Sequence, residues 1–196
     1  MRRSRADDGG EARLDLHLER ERPIMSTGAI HLLRLIHIVG GVFWVGSVLF
    51  LSFYLIPTVQ ALGPAAGPFM DHLTRVRKLP VGLVLATLLT LASGVLLVWL
   101  DSAHFQGAWF RSGPGMTFTA GGALALVSGV IGFLVSSPTA RRLGTLAAAA
   151  RAAGQPTPDQ LQEIQRLQTR LATVGILNAV LLVLATAAMA TARYVG

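Results

Sequence analysis

Apolar side chains occupy four long runs of the chain, and polar or proline- and glycine-containing segments separate the runs. They cover residues 29–56, 81–100, 116–135 and 171–192. Each run is long enough to cross ~30 Å of hydrocarbon as an α-helix, which takes about 20 residues. The runs lack the alternation of a membrane β-strand, so helices are predicted. The sequence therefore predicts an all-α integral membrane four-helix bundle, with Pro57 ending the first span.

Polar helices are predicted to extend the third and fourth spans beyond the membrane. After Pro138 the chain is rich in alanine, leucine and arginine, which are strong helix formers. Gly154 breaks this helix, and Thr157 with Gln160 forms the capping box of a helix that runs on into the fourth span. We expect a helical hairpin that projects by roughly 20–25 Å. A shorter amphipathic helix is predicted over residues 68–78.

Composition supports a membrane location for a single domain over residues 25–196. Hydrophobic residues make up 52% of the chain, charged residues 14%, and the mean hydropathy is +0.55. Soluble proteins carry about a quarter charged residues. The absence of cysteine excludes disulfides, thiolate catalysis and iron–sulfur ligation. Residues 1–24 are predicted to be a disordered polar leader or the result of an incorrectly assigned start, with translation beginning at Met25.

Basic residues predict the orientation in the membrane, because lysine and arginine accumulate in cytoplasmic connections. Eight lie in the connections between spans one and two and between spans three and four, and three lie on the opposite side. This places the helical hairpin in the cytoplasm and both termini outside, in a bacterial inner membrane. If the six arginines of residues 1–24 are counted, the sides hold eight and nine, and the rule gives no orientation. Basic runs beside apolar spans favour lipid headgroups over nucleic acid as the partner.

His37 is the strongest candidate for a functional residue within the spans. Ionisable groups inside a membrane are energetically costly and usually mark functional sites. Gly40 and Gly41 lie on the same helix face and Trp44 follows two turns on, which would leave room for a flat macrocycle beside a ligating imidazole. Arg34, one turn outward, could pair with a haem propionate. The alternative is a histidine that hydrogen bonds between helices.

The other histidines and interior polar residues give weaker signals. His104 is the most plausible second axial ligand, because it follows span two on the same membrane side as His37. His31 is turned away from that face, and His72 lies on the opposite side. The spans contain no hydrolytic metal motif, nucleophile–base pair or phosphate loop. The remaining interior polar residues are expected to join helices by hydrogen bonds; they are Thr87, Thr90, Ser93 and Asn178.

The first span carries a resemblance to known families. LIHIVGGVFWVGSVLF, with His37 and Trp44 seven residues apart, resembles the opening helix of the CopD copper-resistance membrane domain and of HemJ-type protoporphyrinogen oxidases. RVRKL before an apolar helix with Ser93-Gly94 is similar to their second helix, so the likeness covers residues 32–100. It implies a four-helix membrane bundle with haem b near His37. HemJ-type enzymes also need a lysine in the third helix, which here has no charge, so protoporphyrinogen oxidation is not implied.

The sequence thus leads to a haem-b-binding membrane protein with a redox or electron-transfer role near the outer face. His37 would be the iron ligand. The expected partners are a membrane redox protein or a second copy of the chain. Two alternatives stay open. The protein could be a non-enzymatic subunit or assembly factor that docks through its helical hairpin. It could also handle copper or pass small solutes, although Met116 and Met189 are too scattered to suggest a Cu(I) site.

Overall fold

The computed structural model describes residues 25–154 and 156–195, and these residues form helices and short connections without a β-strand. The predicted leader, residues 1–24, lies outside them. Four continuous helical segments are long and apolar enough to cross a membrane. They are Thr27–Val76, Leu79–Asp101, Gly113–Ala152 and Pro158–Tyr194. The predicted all-α membrane bundle with four spans is confirmed.

Span one begins with α1, Thr27–Phe50, whose first turn is capped by the Ser26 side chain. The sequence predicted that the first span ends at Pro57, but the helix continues past this residue. It passes through a π turn, Leu51–Leu55, into α2, Ile56–Leu62. Three elements complete the connection: a 3₁₀ turn, α3 at Gly67–Asp71 and a second π turn, His72–Val76. The predicted stretch 68–78 is therefore largely helical.

Span two is α4, Leu79–Asp101, which begins at the left-handed Lys78 with Pro80 in its first turn. A short helix, α5 at Gly107–Phe110, follows in the connection between spans two and three. Span three is α6, Gly113–Ile131, capped by the Ser112 side chain.

A π turn, Gly132–Ser136, joins span three to its extension α7, Ser137–Ala152. Gly154, in the left-handed region, reverses the chain. α8, Pro158–Thr191, then forms the rest of the extension and span four in one helix of 34 residues. The predicted capping box is present, since Thr157 Oγ1 accepts from the Gln160 amide at 3.2 Å and Gln160 Oε1 accepts from the Thr157 amide at 3.0 Å.

The predicted helical hairpin is therefore observed, because α7 packs along the first half of α8. Span three with its extension has 40 residues, about 60 Å of helix against the ~30 Å of a membrane core. We name the side where this hairpin projects the extension side. The opposite side, where α1 begins and α8 ends, is the terminal side.

The bundle consists of two tightly packed helix pairs, α1 with α4 and α6 with α8, that meet at a small core. Trp44 lies at the centre of this core and is 5% exposed. It packs with Ala86, Ala125, Leu182 and Ala185, one or two from each remaining span. Large apolar side chains cover the outer surface of the spans, as lipid-facing helices require.

Candidate functional site

His37 lies on α1 where this helix packs against α4. Its Nδ1 is 2.9 Å from the Thr90 carbonyl oxygen and 3.3 Å from Ser93 Oγ. A carbonyl oxygen can only accept a hydrogen bond, so Nδ1 carries the proton and donates it. In the neutral ring Nε2 then holds the lone pair, and no residue in the described ranges hydrogen bonds to it. Metal-ligating histidines adopt this arrangement, with the second ring nitrogen held by a carbonyl or carboxylate.

Gly94 on α4 makes this close approach possible. A Cβ at position 94 would lie 2.8 Å from Cε1 and 3.3 Å from Nδ1 of His37. Any side chain there would push the imidazole away from the Thr90 carbonyl. Ser93 Oγ donates to the Leu89 carbonyl at 2.5 Å, which leaves its lone pairs available to His37.

Thr90 and Gly94 both position the His37 ring. The residue pattern alone did not predict this role for either of them. The backbone carbonyl of Thr90 leaves no trace in a sequence. The one available signal is a glycine in the middle of an apolar span, and such glycines also serve ordinary helix packing in membranes.

The glycine strip on α1 is filled by α4. A Cβ at Gly40 would lie 2.8 Å from Thr90 Oγ1, and one at Gly41 would lie 3.6 Å from Thr90 Cγ2. Trp44, two turns beyond His37, is packed in the central core. The strip therefore serves the packing of α1 on α4. A haem bound to His37 could use it as a floor only by displacing Thr90.

Arg34 lies one turn from His37 toward the terminal side and forms an ion pair with Asp101 at the end of α4. The Arg34 Nη2 to Asp101 Oδ1 distance is 3.6 Å, and the two side chains are 43% and 46% exposed. Exposed ion pairs of this kind contribute about 0–1 kcal/mol. Arg34 could therefore exchange Asp101 for another anion at small cost.

The structure does not bring His104 to His37. His104 lies in the loop after α4, and its ring packs edge-on against Trp99 with centroids 4.5 Å apart. Trp99 is six residues beyond Ser93, the α4 residue beside His37, which corresponds to about 9 Å of helix. His31 is exposed on α1, and His72 lies in the connection on the extension side.

Residues 103–105 of this loop have an unusual backbone. Ala103, His104 and Phe105 have φ angles of 47°, 67° and 66°, in the left-handed region that side chains disfavour. Ser102, which is almost fully buried, holds the loop: its Oγ accepts from the Phe105 amide at 2.9 Å and its carbonyl from the Gln106 amide at 2.8 Å. His104 is thus fixed beside Trp99.

Donors for a metal ion are not clustered in the part of the chain that the structure describes. No group of three or more histidine, cysteine or acidic side chains occurs there. Met116 is exposed at the start of α6, whereas Met189 packs near Gly121 in the contact of α6 with α8. Neither methionine is part of the His37 site. The site offers one imidazole nitrogen and one nearby guanidinium, and the Thr90 carbonyl and the Ser93 hydroxyl lie beside the ring.

No known family model, curated protein or solved structure matches this chain. The resemblance of residues 32–100 to the CopD and HemJ groups stays a prediction. The geometry around His37 and the architecture of the bundle are therefore the features that bear on function.

Proposed function

We propose that this protein binds haem b through Nε2 of His37 and has a redox or electron-transfer role. The hydrogen bond from His37 Nδ1 to the Thr90 carbonyl supports this proposal most directly, because it selects the tautomer that leaves Nε2 as a ligand. Bound haem would supply one-electron oxidation and reduction. The site would lie near the terminal side, which the distribution of basic residues predicts to be the outer face.

The residues around His37 have separate roles in this proposal. The Thr90 carbonyl fixes the ring and increases the basicity of the ligating nitrogen. Gly94 permits that contact, and Arg34 would exchange its ion pair with Asp101 for one with a propionate. The apolar side chains around the α1–α4 contact would limit water and so influence the reduction potential.

Within the described residues no second histidine or methionine lies beside His37, so these residues supply a single ligand. A second ligand would come from another copy of the chain, from a membrane redox partner or from a substrate. We include a homo-oligomer in the proposal for this reason. A change in the spin state of the iron on dissociation of the oligomer would identify another copy of the chain as the source.

Absorption spectra of the purified protein test haem binding. The chain starting at Met25 would be expressed with haem supplementation, purified in mild detergent, and measured oxidised and dithionite-reduced. We expect a Soret band and sharp reduced α and β bands. His37→Ala should lower the ratio of haem to protein at least tenfold, because the proposed iron ligand is lost.

His31→Ala is the matched control, since His31 is an exposed histidine of the same helix. This variant should keep the spectrum of the starting protein. Unchanged haem content in His37→Ala would show that His37 is not the ligand. A flat visible spectrum of the unmodified protein would exclude haem and move the assignment to the alternatives.

The first alternative is a non-enzymatic subunit or assembly factor, and the projecting hairpin favours it. Part of its charge is used internally: Arg142 Nη2 lies 2.9 Å from Glu163 Oε1, and Arg151 Nη2 lies 2.7 Å from Asp71 Oδ2. The first pair joins the two helices of the extension, and the second joins the extension to the connection between spans one and two. A colourless protein that co-purifies with one defined partner, and loses it when residues 140–166 are replaced by a short linker, would support this function.

The second alternative is copper handling or passage of a small solute. It would require donors from outside the His37 site, because neither Met116 nor Met189 reaches that site. Uptake that depends on copper, by a protein without pigment, would support it.

A further inference from the structure

The contact between α6 and α8 contains two buried polar atoms that have no partner. Ser128 Oγ and Asn178 Oδ1 belong to residues that are 1% and 6% exposed, and neither oxygen has a hydrogen bond within the described part of the chain. Buried polar atoms in proteins are almost always hydrogen bonded, to protein or to ordered water. The Ser128 and Asn178 oxygens are therefore expected to have a hydrogen-bond partner other than the surrounding protein groups.

The helix register places these two residues opposite each other. Gly121 on α6 faces Ala185 on α8, since a Cβ at Gly121 would lie 3.0 Å from the Ala185 carbonyl oxygen. The two helices are antiparallel. Ser128 is seven residues, or two turns, after Gly121, and Asn178 is seven residues before Ala185. Both therefore lie at one level and on the facing surfaces.

Threonine hydroxyl groups elsewhere on α6 and α8 donate hydrogen bonds within their own helix. Thr119 Oγ1 on α6 donates to the Gly115 carbonyl at 2.7 Å, and Thr186 Oγ1 on α8 donates to the Leu182 carbonyl at 2.8 Å. Ser128 makes no such bond to a carbonyl one turn back. Its hydroxyl and the Asn178 carboxamide are thus available to a group between the helices.

Thr90 Oγ1 is a third buried oxygen without a partner, but it belongs to a different contact. It lies under Gly40 on the α1 side of α4. Thr90 Oγ1 is therefore separate from the pair formed by Ser128 and Asn178.

We propose that Ser128 and Asn178 bind one internal water molecule that joins α6 to α8. Water can donate one hydrogen bond to Asn178 Oδ1 and accept one from the Ser128 hydroxyl, which satisfies both oxygens at once. A metal cation fits poorly, because two neutral oxygens without a carboxylate would leave most of its coordination positions empty. The helices' own amide groups are used in the helical ladders.

Asn178 is the single asparagine of the 196 residues, which allows a direct test. The full chain, labelled with ¹⁵N only in asparagine, would be reconstituted in phosphatidylcholine with deuterated acyl chains. Solid-state NMR at mildly acidic pH, where amide hydrogens exchange slowly, would measure magnetisation transfer from water to the Asn178 side-chain amide. We expect rapid build-up of its signal although the residue is buried.

Two variants identify the partner of this water. Ser128→Ala should slow the transfer at least threefold, because one of the two anchoring groups is removed. Thr186→Ala, which removes an exposed hydroxyl that bonds within its own helix, should leave the rate unchanged.

Absence of transfer in the unmodified protein would overturn the proposal, since the contact would then be dry. Equal transfer in the unmodified protein and in Ser128→Ala would also overturn it, because water would reach Asn178 without the serine. If Ser128→Ala does not fold, the measurement on the unmodified protein still decides whether water is bound. None of these outcomes depends on whether His37 binds haem.

Discussion

At the scale of single residues, the best-determined feature of the site is the orientation of the His37 ring. Its ionisable side chain and its depth in the first span could be read from the sequence. The partner could not, because the Thr90 carbonyl belongs to the backbone of another span. The same contact explains why a glycine stands at position 94, where a Cβ would collide with the imidazole.

Gly94→Ala should therefore disturb the site more than its helix propensity suggests. We expect a loss of about 1–3 kcal/mol in the free energy of unfolding, as for other overpacked contacts, unless the imidazole moves away from Thr90. A movement of the ring would appear as a shifted His37 side-chain ¹⁵N resonance. Unfolding in detergent and NMR of histidine-labelled protein would measure the two effects.

Gly82→Ala is the control, since Gly82 is on the same helix and a Cβ there meets no atom within 4 Å. This variant should be neutral or more stable, by up to about 1 kcal/mol, because alanine is the better helix former. If both variants behaved alike, the close approach of His37 to Gly94 would be refuted.

At the scale of elements, two prolines on the extension side, Pro57 and Pro138, do not end the helices in which they lie. Proline lacks an amide hydrogen and its ring clashes with the carbonyl four residues back, so Pro57 was expected to end the first span. In the structure the π turn before it widens the helix, and the Ile56 amide donates to the Leu51 carbonyl five residues back. The turn before Pro138 is built in the same way, with the Ser137 amide bonded to the Gly132 carbonyl. The wider turns let both helices continue past their prolines.

The start of α8 is an element that local sequence did specify, and its cap can be tested. Thr157→Ala should lower stability by about 1 kcal/mol, because the Gln160 amide loses its acceptor. Hydrogen exchange of the amides at 160–162 should accelerate accordingly. Thr169→Ala, an exposed threonine inside the same helix, should leave these amides unaffected. Equal exchange in both variants would contradict the role of the cap.

At the scale of the whole molecule, the fold is a pair of helical hairpins in a membrane, and the distribution of charge predicts its orientation. The chain has no cysteine, so single cysteines can report accessibility directly. Thr145→Cys places a thiol on the exposed surface of α7, and Ala108→Cys places one in α5 on the terminal side.

Membrane-impermeant maleimide should label Ala108→Cys in intact cells and Thr145→Cys only after permeabilisation. This outcome follows from eight basic residues on the extension side against three on the terminal side, when residues 1–24 are left aside. The reverse pattern would place both termini in the cytoplasm, and the His37 site would then face that compartment.

The sequence by itself determined the four spans, the extension of spans three and four, and the capping box at Thr157, because these depend on hydrophobic length and on bonds between residues close in the chain. It also singled out His37, since an ionisable side chain inside an apolar run is visible in any linear pattern. Only the tertiary structure decided that Thr90 fills the strip at Gly40, that Gly94 admits the imidazole, and that His104 stays beside Trp99. The first two relations join different helices, whose register and close approach arise from the packing of their side chains. The third depends on the left-handed backbone of residues 103–105. A linear pattern encodes neither.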